Sequence, residues 1–298
     1  MKIIERRWIW YSISIAIIVV GIAFMLIRGL NFGIDFRGGT LMEINIGKSY
    51  DVEDIRAIIK AHNIDAYVSE AGDNNQEVLI RIASVPNDDE VQAQILNNMK
   101  EKYGIDDSAV LSLEKVGPTV GGELTRNAIY AIAIACVLML IYIWIRFEIR
   151  FGVAAIIALV HDALIMLAVV AITNTQINTP FVAAVLTIVG YSINDTIVVF
   201  DRIRENRRKL GKKKKMNPFE LANMSIEQTL ARSINTTLTT LFTITALYIF
   251  GVPSIKEFAL PIIVGIASGA YSSIFIASPI WATWTQRDAM EKAAVHKR

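Results

Sequence analysis

A single cysteine, Cys136, stands among the 298 residues, so an intramolecular disulfide is impossible and a thiolate metal centre is excluded. It lies inside an apolar run and is expected to be a lipid- or helix-facing filler. Also missing are the phosphate-cradling loop of a Walker nucleotidase and the HExxH helix of a zinc hydrolase. Neither a cofactor nor a metal is expected, and the chain reads as a non-enzyme. Net charge is nearly absent too, at +2.

Apolar residues, 53% of the chain, are gathered into blocks instead of being spread as a soluble core requires. The blocks run Trp8 to Leu30, Ala128 to Ile145, Phe151 to Thr173, Pro180 to Phe200, Ile234 to Phe250 and Phe258 to Trp284. Each is long enough to cross a hydrocarbon core of roughly 30 Å at about 1.5 Å per helical residue. The spacing therefore predicts six transmembrane helices. The first block follows Lys2, Arg6 and Arg7, but it is too long for a signal peptide and no small-residue cleavage site follows, so a retained anchor is expected.

Charge is segregated. Residues 31–126 hold 17 acidic side chains against nine basic ones, a net charge of −8. The loop at 201–232 is basic, with Arg202, Arg204, Arg207, Arg208, Lys209 and Lys212 to Lys215. That pattern puts this loop and both termini in the cytoplasm and the acidic segment outside. Lys212 to Lys215 are read as attracted to anionic membrane lipid, not nucleic acid.

The acidic segment carries strand patterns at Leu41 to Ile46, Ala66 to Glu70, Glu77 to Ile82 and Ala109 to Val116, with helical patterns at Val52 to His62 and at Asp88 to Tyr103, the latter after Pro86 and Asn87. The order predicts a ferredoxin-like βαββαβ domain. The expected fold is thus an α-helical polytopic membrane protein with a small α+β extracytoplasmic domain between helices 1 and 2. Its parts are 1–30, 31–126 and 127–298. Asn217, Pro218 and Glu220 form a helix start leading into the fifth span.

Ionisable groups inside spans cost at least about 2.5 to 3.5 kcal/mol each, so each needs a reason. His161 and Asp162 sit mid-span. As helix neighbours they point about 100° apart, which predicts that they do not share one narrow face; a packed pair bonded to adjacent helices and a proton path both remain open. Thr187, Tyr191, Ser192 and Asp195 share one face of the fourth span, with Asn194 displaced from it. In the fifth span, Arg232, Asn235, Thr236, Thr239, Thr240 and Thr243 make a polar stripe expected to face another helix or a wet cleft. Arg232 is either a headgroup anchor or a partner for Asp195. Burial favours the neutral carboxyl and a nearby guanidinium favours the carboxylate, so separating the pair couples protonation to helix position. Two aspartates also allow a protease dyad, but the flanks of Asp162 and Asp195 do not support one. Gly265, Gly269, Ser273 and Ala277, at intervals of four, predict a helix-packing seam.

Five stretches, taken together and in order, carry a resemblance: Asn31 to Gly39 (NFGIDFRGG), Gly117 to Leu124 (GPTVGGEL), His161-Asp162, Gly190 to Asn206 (GYSINDTIVVFDRIREN) and Arg232 to Thr240 (RSINTTLTT). They resemble the SecD/SecF family of protein-export membrane proteins, itself similar to half of a resistance-nodulation-division transporter. The resemblance implies partnership with SecD, association with the SecYEG channel, contact with a translocating unfolded polypeptide, and use of the proton gradient across the bacterial cytoplasmic membrane after the motor ATPase SecA has acted. It carries proton-relay roles onto Asp195 and Arg232, and matches His161 and Asp162 to a family motif. It also implies movement of the outer domain, for which Gly33, Gly38, Gly39, Gly117, Gly121 and Gly122 are candidate hinges, tight turns in a rigid link being the other account of the same glycines. A half-transporter exporting lipids or small amphiphiles and a passive assembly scaffold are the alternative functions.

Overall fold

The computed structural model describes residues 2–64, 66–72, 76–84, 88–211 and 216–295; Pro86, Asn87 and Lys212 to Lys215 lie outside these. Six helical stretches are long and apolar enough to cross a membrane: Ile4–Arg28, Pro118–Arg146, Ile149–Thr173, Thr179–Leu210, Pro218–Phe250 and Ile255–Glu291. They contain α1 (Arg7–Arg28), α5 (Pro118–Arg146), α6 (Ile149–Thr173), α7 (Thr179–Leu210) and α8 (Pro218–Phe250). The sixth crossing is α9 (Pro253–Ser272), a π turn (Ser273–Ala277) and α10 (Ser278–Val295). Most of these helices outrun their apolar blocks through added polar turns, and an asparagine caps those of α7 and α8. At the start of α8, for instance, Asn217 Oδ1 accepts the Phe219 N–H at 2.9 Å.

The helices α6, α7 and α9 to α10 form the centre of the bundle, whereas α1, α5 and α8 leave most of their surface outside it. Ile134, Leu138, Ile141 and Trp144 of α5 are exposed, as lipid-facing residues should be. Towards the end of the bundle where α6 begins and α7 ends, Phe151 stacks on Trp281 with centroids 4.8 Å apart and packs on Phe200. An ion-pair lattice closes that end: Arg146 and Arg204 meet Asp201, Arg207 meets Glu148, and Arg150 meets Asp288. The hydrogen bond from Arg207 holds the Glu148 carboxyl below the usual carboxylate range.

Between the first two crossings lie the short α2 (Ile34–Arg37), β1 (Gly39–Asn45), α3 (Val52–Lys60), β2 (Ala66–Ala71), β3 (Glu77–Ala83), α4 (Asp88–Tyr103) and β4 (Val110–Val116). The sheet order is β2-β3-β1-β4 and every pairing is antiparallel. Period-2 alternation turns Met42, Ile44, Val78, Ile80 and Ile82 to one face, where Ile55 and Ile59 of α3 and Ile95 and Met99 of α4 cover them.

The opposite face holds Arg81, and this residue fixes the sheet to the bundle. Its guanidinium meets Glu257 of α9 in a two-pronged pair at 2.8 and 3.1 Å, with the side chains only 7% and 11% exposed. Asn178 Nδ2 donates to the same carboxylate at 2.8 Å while its Oδ1 caps the Phe181 N–H at the start of α7. A second seam runs beside it. Gly33 N–H donates to Ile177 O, Ile177 N–H donates to Asn31 O, and Asp35 accepts the Thr179 N–H, all at 2.8 Å.

Breaking a buried pair leaves an uncompensated charge. Arg81→Ala is expected to cost about 3 to 5 kcal/mol of unfolding free energy. Arg81→Met with Glu257→Leu is expected to recover most of it. Denaturant titration of the detergent-solubilised variants checks both, and equal losses in the single and double variants would count against the pair as the fastening.

Candidate functional site

Asp162 of α6 is completely buried. Each of its oxygens has two hydrogen-bond partners. Oδ2 accepts from Ser192 at 2.5 Å and Ser272 at 2.7 Å; Oδ1 accepts from Ser268 at 2.6 Å and is 3.0 Å from His161 Nδ1. The imidazole reaches on through Nε2 to Ser14 Oγ of α1 at 2.8 Å, and Tyr271 stacks on it. The expectation that His161 and Asp162 do not share a face is corrected here: the side chains bend around the helix and bond each other, because their own torsions span the 100° between neighbours.

Ser14, His161 and Asp162 have the distances of a nucleophile, base and orienting acid. Ser14, however, lies inside α1, where helical bonds consume the nearby N–H groups, so no donor pair is free to hold an oxyanion. What this chain of polar groups does is join α1, α6, α7 and α9 through one carboxyl group. Ser14, Ser268 and Ser272 were not singled out from the sequence. The i, i+4 spacing of Ser268 and Ser272 on the glycine-bearing helix was the available signal.

Asp195 of α7 is differently placed. It is 8% exposed, Oδ1 accepts from Ser233 of α8 at 2.8 Å, and Oδ2 is buried with no partner among the described residues. Ser233 was also missed. It belongs to a buried polar face of α8 with Ser225, Thr229 and Thr237, about one residue round from the stripe that the sequence suggested. The stripe itself departs from expectation: Arg232, Asn235, Thr236, Thr239 and Thr243 are exposed on this chain. Their threonines bond the carbonyls four residues back, Thr236 to Arg232 at 2.9 Å and Thr239 to Asn235 at 3.0 Å. Two polar stripes sit on one helix, and composition alone does not tell which one faces inward.

Among the described residues Asp195 and Arg232 form no ion pair. The single polar face drawn on α7 divides as well. Ser192 goes to Asp162, Tyr191 O–H reaches Thr240 of α8 at 3.2 Å, and Thr187 and Asn194 are exposed. The sixth-crossing seam lies against α7. A Cβ on Gly265 would stand 2.4 Å from Ile188, one on Gly269 would stand 3.0 Å from Ser192, and Ser273 Oγ is 2.9 Å from Thr196 Oγ1.

Of the candidate hinges, Gly38 and Gly39 take positive φ of 75° and 145°, and a Cβ on Gly39 would meet Ile82 O at 2.1 Å. Gly121 packs on the Gly38 backbone and Gly33 on Asn178, while Gly117 and Gly122 have open space around them. Among the described residues no three His, Cys, Asp or Glu side chains are grouped to hold a metal ion.

Comparison with known proteins matches residues 95–287 to the family of protein export membrane proteins SecD/SecF, C-terminal part, and residues 23–49 to the SecD/SecF GG motif. The protein translocase subunit SecF of Desulfurispirillum indicum is 41% identical over 284 residues, covering 93% of this chain and 90% of that one. The SecF subunit of Haemophilus influenzae is 38% identical, covering 94% and 84%. The crystal structure of SecDF from Thermus thermophilus, a translocon-associated membrane protein, superposes with a TM-score of 0.82 at 34% identity; the match covers 96% of this chain and 38% of that one.

The two carboxylates are expected to answer differently to removal. Asp162→Leu strips the acceptor from three serines and an imidazole and is expected to cost about 3 kcal/mol or more, whereas Asp195→Leu orphans one hydroxyl and is expected to cost about 1 kcal/mol. Unfolding titrations in the same detergent check the contrast, and equal costs would contradict it.

Proposed function

The chain belongs to the SecD/SecF family of protein-export membrane proteins, and from that premise we propose that Asp195 is the group through which it draws on the proton gradient. It is a multi-pass membrane protein and an accessory subunit of the bacterial Sec protein-export machinery. The observation that carries the proposal is the contrast between the two buried carboxylates. Four partners surround Asp162; Asp195 has one, and among the described residues its Oδ2 has none. A proton arriving at that oxygen removes a buried charge and breaks no existing bond.

Arg232 directly precedes Ser233, about 100° away around α8. A turn of α8 by one residue exchanges the Ser233 hydroxyl for a guanidinium beside Asp195. Arg suits that part because it stays charged while the carboxylate titrates. Each proton that crosses releases about 2.3 kcal/mol per 100 mV, and several together can drive such a cycle. His161 and Asp162 hold α1, α6, α7 and α9 together, and α8 turns against that set.

The face that carries Asn194, Arg232, Asn235, Thr236 and Thr239 is polar and exposed at membrane depth, where lipid gives it no partner. We read it as the contact face for SecD, through which the chain meets the SecYEG channel. Basic residues at both chain ends and at 201–232 support cytoplasmic termini and an outward-facing sheet unit within 31–126. We read that unit as ferredoxin-like, and as the part that meets the translocating unfolded polypeptide. Its hinge is then Gly117 and Gly122, since Gly38, Gly39 and Gly121 are closely packed.

Asp195→Asn keeps size and removes titration. Export of a slowly secreted protein is expected to fall to the level of cells lacking the chain, while copurification with SecD is unchanged. Wild-type export by this variant would sink the carrier role and favour a passive scaffold. In a Cys136→Ser background, a cysteine at Thr239 is expected to cross-link to SecD, and one at the lipid-facing Leu138 is not; the reverse result would move the interface elsewhere.

A further inference from the structure

The seam between α1 and the sixth crossing holds two cavities that none of the steps above use. One, of about 480 Å³, lies where the first crossing begins and the last one ends; Arg7, Trp8, Tyr11, Thr283, Trp284 and Arg287 line it. The other, of about 380 Å³, lies deeper between Ile13, Ile17, Ile165 and Ile263, and it ends on Ser14 and His161. On α1, Arg7, Tyr11, Ser14 and Ile17 follow one another at steps of four and three, so a single stripe runs along both.

The chemistry of the first cavity is that of a headgroup site. Arg7 lies over the rings of Trp8 and Phe219 and donates to the Ile4 carbonyl; among the described residues neither Arg7 nor Arg287 pairs with a carboxylate. The opposing charges are Asp288, already paired with Arg150, and the exposed Glu291. Arg7, Arg150 and Arg287 against these two leave a net positive site. Trp8, Trp284 and Tyr11 are the amphipathic rings that favour this depth of a membrane. From Arg7 to Ile17 is about 15 Å of helix, half of a hydrocarbon core of roughly 30 Å.

We propose that this seam binds an anionic glycerophospholipid, with its phosphate between Arg7 and Arg287 and one acyl chain laid along α1 as far as the apolar slot over Ser14 and His161. The two cavities match the two halves of such a molecule, charge at the rim and hydrocarbon at the depth of one leaflet.

The test uses the full-length protein in phosphatidylcholine vesicles containing rising fractions of dibrominated phosphatidylglycerol, whose bromines quench nearby tryptophans. Quenching is expected to exceed that by equal fractions of dibrominated phosphatidylcholine, with a preference of about fivefold per arginine. Arg7→Gln with Arg287→Gln is expected to bring the two lipids to parity. The pair Arg7→Lys with Arg287→Lys, which keeps both charges, is expected to retain the preference. Parity in the unaltered protein, an unchanged preference in the glutamine pair, or loss of preference in the lysine pair would overturn the assignment.

Discussion

A carboxyl group shut away from solvent must find its hydrogen-bond partners inside the bundle, and Asp162 finds four, three on α7 and α9 and one on its own helix. That requirement sets much of the bundle. Ser192 has to face inward on α7, Ser268 and Ser272 have to share a face of α9, and His161 has to bend back over its own helix. The glycines follow from the same constraint. α9 brings two serines within 2.7 Å of the Asp162 carboxyl while lying almost against α7, and Gly265 and Gly269 are the positions where a larger residue would hold the helices apart.

The same helix carries Glu257 at one end and the serines of Asp162 further along. It therefore runs, through the internal Pro261, from the ion pair under the sheet to the serines around Asp162. Asp195 stands outside this closed set, bonded only to α8. The bundle thus combines one carboxylate that fastens with one that has room to change.

Much of the architecture was legible because it rests on local physics. Apolar blocks of membrane length, strand alternation and an Asn-Pro helix start depend on neighbouring residues, and α4 begins and ends at Asp88 and Tyr103 as its pattern suggested. Asp162 and Asp195 were visible as costly residues out of place. Their partners were not. Ser14, Ser233, Ser268 and Ser272 are small, common and able to bond their own helix, so nothing in their spelling separates a buried donor from an idle one. The outward stripe of α8 misled for a related reason. A polar helix face in a membrane protein calls for a partner, and the sequence does not say whether that partner belongs to the same chain.

The π turn at Ser273–Ala277 bears on how the last crossing tolerates change in length. A π turn holds one residue more than the α-helical path requires, and that residue rotates everything beyond it by about 100°. Ser272, the last residue before it, faces Asp162, Ser273 faces Thr196, and beyond the turn Trp281 stacks on Phe151. Losing a single codon within these five would turn α10 by a quarter of a revolution or more and carry Trp281 out of its stack. Substitutions in this stretch can be absorbed one side chain at a time, but a one-residue deletion cannot, and family members that shorten here must re-phase a whole helix to do so.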